Sequence, residues 1–335
     1  MKTKISILTL ATAVMLAPVP AAADVDSFKD WTVVCDNLRT CEAAGFGPED
    51  GDLSAVLRLS RAGSAGAPAR IEIDLPNESH GKPVTLAVDG REVITVPAPA
   101  SGGGLTVVVR DAQAGPLLGA ARNGAMLSIR SADGELGRVS LAGMVAALRY
   151  VDDQQKRAGT VTAMVAKGGA PAASVPAPPA APVIRAAPAI AQTGLPSKPP
   201  AAVLALGRKA ECDTEPGSQG KPQAWRLSAD KTLWQIPCGG GAYNFSGLFV
   251  VVDKAGRAVL APLEGAGDGL ATNADYDPKT RILTAYGKGR GIGDCGESSA
   301  WGWTGDAFAL FRATVMPVCR GYGYDWPVVF RAEVR

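Results

Sequence analysis

Hydrophobic positions in this chain fall in short runs rich in β-branched residues, broken at intervals by Gly, Pro, Asn or Asp. That pattern predicts strands rather than long helices. In the first half the runs are Trp31–Cys35, Ala55–Leu59, Ile71–Leu75, Val84–Val88 and Leu105–Val109. Asp89-Gly90 follows Val84–Val88 and precedes Val93–Val96. Both turn residues tolerate positive φ, so a tight hairpin is expected there. One segment breaks the strand pattern: Leu141, Met144, Val145, Leu148 and Val151 recur at helical spacing after Ser140. This predicts an amphipathic helix capped by Ser140, packed on the sheet and closing the first domain.

The second half reads as β throughout. Its runs are Leu233–Ile236, Leu248–Val252, Ala258–Leu260, Arg281–Tyr286, Phe308–Phe311 and Val328–Val334. Asp253-Lys254-Ala255-Gly256 and Asp277-Pro278-Lys279-Thr280 supply hairpin turns. Many short strands at this spacing suggest a sandwich or barrel-like fold.

Between the halves, residues 169–200 hold nine of the 25 prolines, many alanines, and only Arg185 and Lys198 as charges. Proline fixes φ and lacks an N–H, so the stretch is expected to form an extended spacer. A plain tether is favoured over a Pro-motif read by a partner. The chain is therefore expected to be mainly β with two domains. Residues 24–168 form a β-rich domain with a closing helix, 169–205 a Pro/Ala-rich linker, and 206–335 an all-β domain.

Residues 1–23 have the three parts of a secretory signal. Lys2 and Lys4 are its charged start, Ile5–Leu16 its apolar core, and Ala21-Ala22-Ala23 its cleavage pattern. Cleavage there gives a mature start at Asp24 and export, with a Gram-negative periplasm as the expected location. The apolar run is too short to span a membrane, so no stable insertion after cleavage is expected. Removing Lys2 and Lys4 from the 34 basic residues balances the 32 acidic ones. A neutral chain offers no basic surface for nucleic acid.

The six cysteines all lie in the mature chain, and their even number in an exported protein points to disulfides. Six cysteines permit 15 connectivities. Clustering favours Cys35–Cys41, Cys212–Cys238 and Cys295–Cys319. No C-x-x-C occurs, which weighs against a redox pair or a thiolate metal site.

Two resemblances accompany these patterns. Phe28-Lys29-Asp30-Trp31-Thr32-Val33-Val34-Cys35 with Cys41, then Met126-Leu127-Ser128-Ile129 and Val139 to Leu148, resemble the opening and closing segments of the invasion-associated locus B family. That likeness spans most of residues 24–157. It implies export and a shared architecture, and carries no catalytic residue. The strings Gly287–Trp303 and Cys319–Pro327 resemble a family of exported bacterial proteins described as a domain of unknown function, over about residues 211–335 and more weakly the whole two-part layout. That likeness implies no activity.

Candidate chemistry concentrates in those same strings. Gly287, Gly289, Gly291, Gly293 and Gly296 alternate with Lys288, Arg290 and Asp294. If the loop binds a ligand, Lys288 and Arg290 would recognise an anion, although a disulfide-fixed structural loop is favoured. Trp301 and Trp303, and Tyr322, Tyr324 and Trp326, have the two-residue spacing that puts each set on one strand face. Such faces suit a sugar or peptide platform, and more often fill a core. Asn273, Asp275 and Asp277 have calcium-loop spacing, but Pro278 stands where that loop needs Gly, so a turn is preferred. His80 is the single histidine and reads as a loop residue.

No metal, cofactor or catalytic residue is expected. The leading reading is a non-enzymatic periplasmic binding or envelope-associated module, contacting an envelope protein or cell-wall glycan through its C-terminal loops. The alternatives are a cell-wall or glycan hydrolase using Asp294, Glu297 or Asp306, and an inhibitor of an envelope-directed enzyme.

Overall fold

The computed structural model describes residues 24–48, 54–76, 81–97, 106–212, 220–321 and 325–335. The signal segment, His80, Tyr322 and Tyr324 lie outside the described residues.

In the first half, β1 (Asp24–Phe28), β2 (Trp31–Cys35), β3 (Cys41–Phe46), β4 (Val56–Arg61) and β5 (Ala69–Asp74) run on as an antiparallel meander. After β6 (Val84–Val88) and β7 (Arg91–Val96), β8 (Thr106–Val109) returns to the edge of that first sheet. Helix α1 (Asp111–Ala121) follows, then β9 (Met126–Ser131), β10 (Gly134–Ser140) and α2 (Met144–Gln154). A second sheet has the order β10-β9-β6-β7. Asp89 (φ 49°) and Gly90 (φ 80°) make the β6–β7 turn, and the Asp89 carboxylate accepts from the Met126 N–H at 2.9 Å.

Trp31, Leu59, Ile73, Leu86, Ile129 and Leu148 share the core that joins these sheets to α2. Gly45 lies opposite Trp31 because a Cβ there would fall 2.3 Å from the indole. The Trp31 indole N–H donates to the Ser140 carbonyl at 2.9 Å. Ser140 is the end of a strand and not the helix cap. The cap position is Gly143, at φ 98°, where a Cβ would collide with the Phe28 carbonyl. This close approach of β1 sets the start of α2, and a side-chain cap is dispensed with.

The Pro/Ala-rich segment is extended, but it does not hang free. Its strand β11 (Val183–Ile184) pairs in parallel with a strand at residues 333–334, Ala186 N–H donates to the Arg335 carbonyl, and Ala187 N–H to the Trp303 carbonyl at 2.7 Å. Helix α3 (Ala201–Lys209) then begins immediately after Pro199-Pro200, so the second half is not all β. Proline excludes some N–H groups from bonding, yet the residues between prolines keep theirs.

The second half continues with β12 (Gln223–Arg226), β13 (Lys231–Gly240), β14 (Phe245–Asp253), β15 (Ala258–Leu260) and β16 (Leu270–Thr272), which form one sheet. β17 (Asp275–Asp277), β18 (Ile282–Lys288), β19 (Gly296–Trp303), β20 (Phe308–Met316) and β21 (Val328–Arg331) form another, and β22 (Glu333–Val334) holds the linker strand. Leu233, Phe249 and Val251 from the first of these sheets meet Tyr276, Leu283, Trp301, Trp303 and Phe308 from the second. On the far face of the first, Trp234, Ile236 and Val250 pack under Val203 of α3. The layers are helix, sheet, sheet, and among the described residues no barrel closes.

The two halves share a small apolar cluster: Ala44, Phe46 and Val56 against Cys295, Met316 and Trp326. Arg320 and Arg331 cross the same junction. The Arg331 guanidinium pairs with Asp36 at 2.5 Å, and Asn37 exchanges two hydrogen bonds with the Arg331 backbone. The disulfides are Cys35–Cys41, Cys212–Cys238 and Cys295–Cys319, with Cα separations of 4.0, 4.1 and 4.7 Å.

Candidate functional site

The site is best built from the registers of β18, β19 and β20. Thr284, Ala300 and Arg312 lie opposite one another, as do Tyr286, Ser298 and Thr314, and then Lys288, Gly296 and Met316. Directly paired residues point to the same face of a sheet. These three rows therefore make the outer face, while Leu283, Ala285, Trp301 and Trp303 turn inward. The central strand contributes only the small residues Gly296, Ser298, Ala300 and Gly302 to the outer face, so a groove runs along it between larger neighbours.

That groove widens into a cavity of about 320 Å³ lined by Tyr286, Lys288, Ser298, Arg312, Thr314 and Trp326. The Ser298 and Thr314 hydroxyls bond to each other at 2.7 Å on its floor. Gly296, at φ 140°, leaves room at one end: a Cβ there would sit 2.0 Å from the Gly287 carbonyl oxygen and 2.9 Å from Cη2 of Trp326. At the other end the linker closes the face, with Ile184 over Gly302. Ile292, 67% exposed, and Asp325 flank the opening.

A second depression of about 270 Å³ lies on the inner side of the same hairpin, between Glu264, Leu270, Glu297, Ser299 and Trp301. The Trp301 indole donates to the Glu264 carbonyl at 2.8 Å, and the Glu264 carboxylate accepts from the Leu310 N–H at 2.9 Å. A third, of about 420 Å³, runs past Asn244, Gly289, Glu297 and the Cys295–Cys319 bridge.

The glycine loop is held by an ion pair rather than shaped to cradle an anion. Arg290 Nε donates to Asp294 Oδ1 at 2.7 Å, and Gly321 N–H donates to the other carboxylate oxygen at 2.7 Å. The Arg290 hydrogen bond holds the Asp294 carboxyl below its usual value despite burial, and the same contact raises Arg290. Arg290 is thus occupied within the loop. Lys288 has no carboxylate in salt-bridge range among the described residues, and it lines the groove.

The aromatic sets divide. Trp303 is 1% exposed, tilted against Phe308 with ring centroids 4.9 Å apart, and is a core side chain rather than a platform. Trp301, 4% exposed, belongs to the same core and reaches only the floor of the inner depression. Burial between the two sheets takes both from solvent because each large indole removes much apolar area from water. Trp326 does line the outer groove.

The three carboxylates have different surroundings. Asp294 is ion-paired, Glu297 lines the inner depression, and Asp306 has a side chain 98% exposed beside Lys231. Glu297 is the second residue of β19 and Asp306 follows its far end, roughly 20 Å along the strand. Asn273 and Asp277 serve turns: the Asn273 amide donates to the Tyr243 and Tyr286 carbonyls, and Asp277 accepts from Lys279 N–H and the Thr280 hydroxyl. Asp294, Cys295 and Cys319 are close, but both sulfurs are spent in a disulfide and offer no thiolate to a metal.

Sequence reasoning missed Tyr286, Ser298, Arg312 and Thr314. Their only signal is alternation on strands whose mutual register had to be known.

The fold and its open groove define a mainly β protein of stacked antiparallel sheets stapled by three disulfides. The chain belongs to the family described as protein of unknown function (DUF1176), which it matches over residues 25–333. Among curated relatives, Uncharacterized protein YpfG of Escherichia coli (strain K12) is 31% identical over 346 residues, covering 92% of this chain and 93% of the relative. No solved structure matches the chain significantly.

Proposed function

We propose that the protein is an exported, non-enzymatic binding module of the bacterial envelope, and that the outer groove of the C-terminal sheet is its ligand surface. The observation that carries this reading is the groove itself: Tyr286, Lys288, Arg312 and Trp326 converge on an open cavity floored by small residues. Export is supported by the charged and apolar segments of residues 1–23 and by three disulfides, which oxidising compartments favour. No helix among the described residues is long and apolar enough to cross a membrane. The pairing of Asp294 with Arg290, and the place of Asp306 past the far end of β19 from Glu297, support binding over hydrolysis.

The test is titration of the full mature chain with peptidoglycan fragments and oligosaccharides, read by tryptophan fluorescence. A saturable change lost in Tyr286→Ala, with the fold intact, is expected; a flat response rejects the glycan form of the reading. Fractionation should place the chain in the periplasm with Asp24 at its N-terminus.

A second reading, inhibition of an envelope-directed enzyme, is favoured by Ile292. It is 67% exposed on a loop braced by Arg290–Asp294 and Cys295–Cys319, the form of a rigid apolar anchor. Ile292→Asp should abolish a complex of this type.

Kinship of the first half with the invasion-associated locus B family is also part of this reading. The similar fragments fall on β2 and on the run from β9 through β10 to α2, which meet in one core. A structure of a member of that family with a different strand order would reject it.

A further inference from the structure

The binding reading leaves the ligand class open, and the groove's charges narrow it. Lys288 and Arg312 flank the central strand on opposite sides, one on β18 and one on β20. Among the described residues, neither has a carboxylate within ion-pair distance, unlike Arg290, Arg320 and Arg331, which are all paired. Among the described residues that line the groove the single acid is Asp325, so two cations face one anion there. Between the cations lie hydroxyls rather than hydrocarbon: Ser298 and Thr314, bonded to each other. Tyr286, 45% exposed, and Trp326 add aromatic surface at the margins.

Unpaired cations recognise an anion through charge-assisted hydrogen bonds. Hydroxyls and an amphipathic phenol suit a polyhydroxylated ring, whose faces are apolar and whose edges are polar. On this basis we propose that the groove selects a saccharide bearing a carboxylate, the acid lying between Lys288 and Arg312 and the ring against Tyr286. The proposal rests on the binding reading above and adds the charge requirement. A cell-wall amino sugar with an acidic ether and a uronic acid share this chemistry.

The test uses two matched pairs on the full mature chain at low ionic strength: N-acetylmuramic acid against N-acetylglucosamine, and glucuronic acid against glucose. Each pair differs by the acid and retains a sugar ring. The acidic member is expected to bind about tenfold tighter or more, the scale of one charged hydrogen bond. Raising salt to about 0.5 M should narrow the difference. Lys288→Gln and Arg312→Gln should each reduce it without changing the far-ultraviolet spectrum. Which pair gives the larger ratio identifies the source of the acid.

Equal binding of both members overturns the charge requirement and leaves the binding reading standing. A preference that survives in both variants also overturns it, because the acid is then read elsewhere. Failure of all four sugars to saturate at about 10 mM, beyond the millimolar affinity of a weak site, removes the proposal together with the glycan form of the binding reading. If a variant fails to fold, the wild-type comparison of acid with neutral sugar still decides.

Discussion

Arg320 reaches out of the second half and donates to Asp30 Oδ1 at 2.9 Å in the first. It also donates to the Gly47 carbonyl at 2.6 Å and lies 5.6 Å from the centre of the Phe46 ring. Its side chain is 15% exposed, so these contacts are made largely out of water. Arg320→Ala should cost about 2–3 kcal/mol, mostly by leaving Asp30 and the Gly47 carbonyl without their donor. Calorimetry of the full chain should show a lower Tm and a transition that splits as the halves uncouple. An unchanged single transition would show that the apolar cluster alone holds the junction.

Acid should weaken the same region. The Ser140 hydroxyl and Arg320 hold the Asp30 carboxyl below its usual 3.8, while Arg290 and the Gly321 N–H do so for Asp294. A carboxylate with a lowered folded value contributes stability that is present above 3.8 and is lost as pH falls through the lowered value. Tm should therefore be level with respect to these groups from pH 7 to about 5 and drop on further acidification. Asp30→Asn should make the drop shallower. An equally steep drop in that variant would remove Asp30 from the account.

In the first half, Arg157 is fully buried beside α2. Its guanidinium donates to the Ala65 carbonyl at 2.9 Å, to the Ser64 carbonyl, and to Gln155 Oε1 at 3.0 Å. Nearby, the buried Asp152 carboxylate accepts from the N–H groups of Met164, Val165 and Ala166. Arg157→Met keeps much of the volume but strands several acceptors, and should cost about 3–5 kcal/mol in urea unfolding. Groove titrations below the unfolding transition should match the wild type.

Gly296→Ala tests the end of the groove that Gly296 keeps open. The added Cβ meets the Gly287 carbonyl, and φ near 140° is unfavourable for any L side chain. The β18–β19 pairing should open at this end, at a cost of about 2–4 kcal/mol, and Trp326 should be displaced with a change in its fluorescence. An unchanged emission would mean that the strands absorb the Cβ elsewhere.

What could be read from the chain follows the range of the interaction. Asp89-Gly90 names its hairpin because the turn depends on two adjacent residues. Helix α1 was not legible: Gly115 and Pro116 lower helix propensity, and tertiary packing of Leu117 and Ala121 overrides them. The strand at Trp31–Cys35 was legible, and the start of α2 at Gly143 was not, because it answers to Phe28 more than a hundred residues earlier. Likewise Lys288 and Trp326 stand out in sequence, whereas Arg312 joins them only through the register of three strands. Composition marked residues 169–200 as extended, but it carries no record of what an extended segment lies against.

Parallel pairing of Val183 and Ile184 with Glu333 and Val334 has a consequence for how the protein is made. The segment leaves the ribosome 150 residues ahead of its partner strand. Until residues 333–335 have been synthesised, the Ala186 N–H lacks the Arg335 carbonyl, the Ile184 carbonyl lacks the Arg335 N–H, and residues 183–184 have no strand to pair with. Settling of the middle of the chain is thereby timed to delivery of that distant stretch. A chain lacking residues 333–335 would leave the middle segment without these partners, loose and open to proteases.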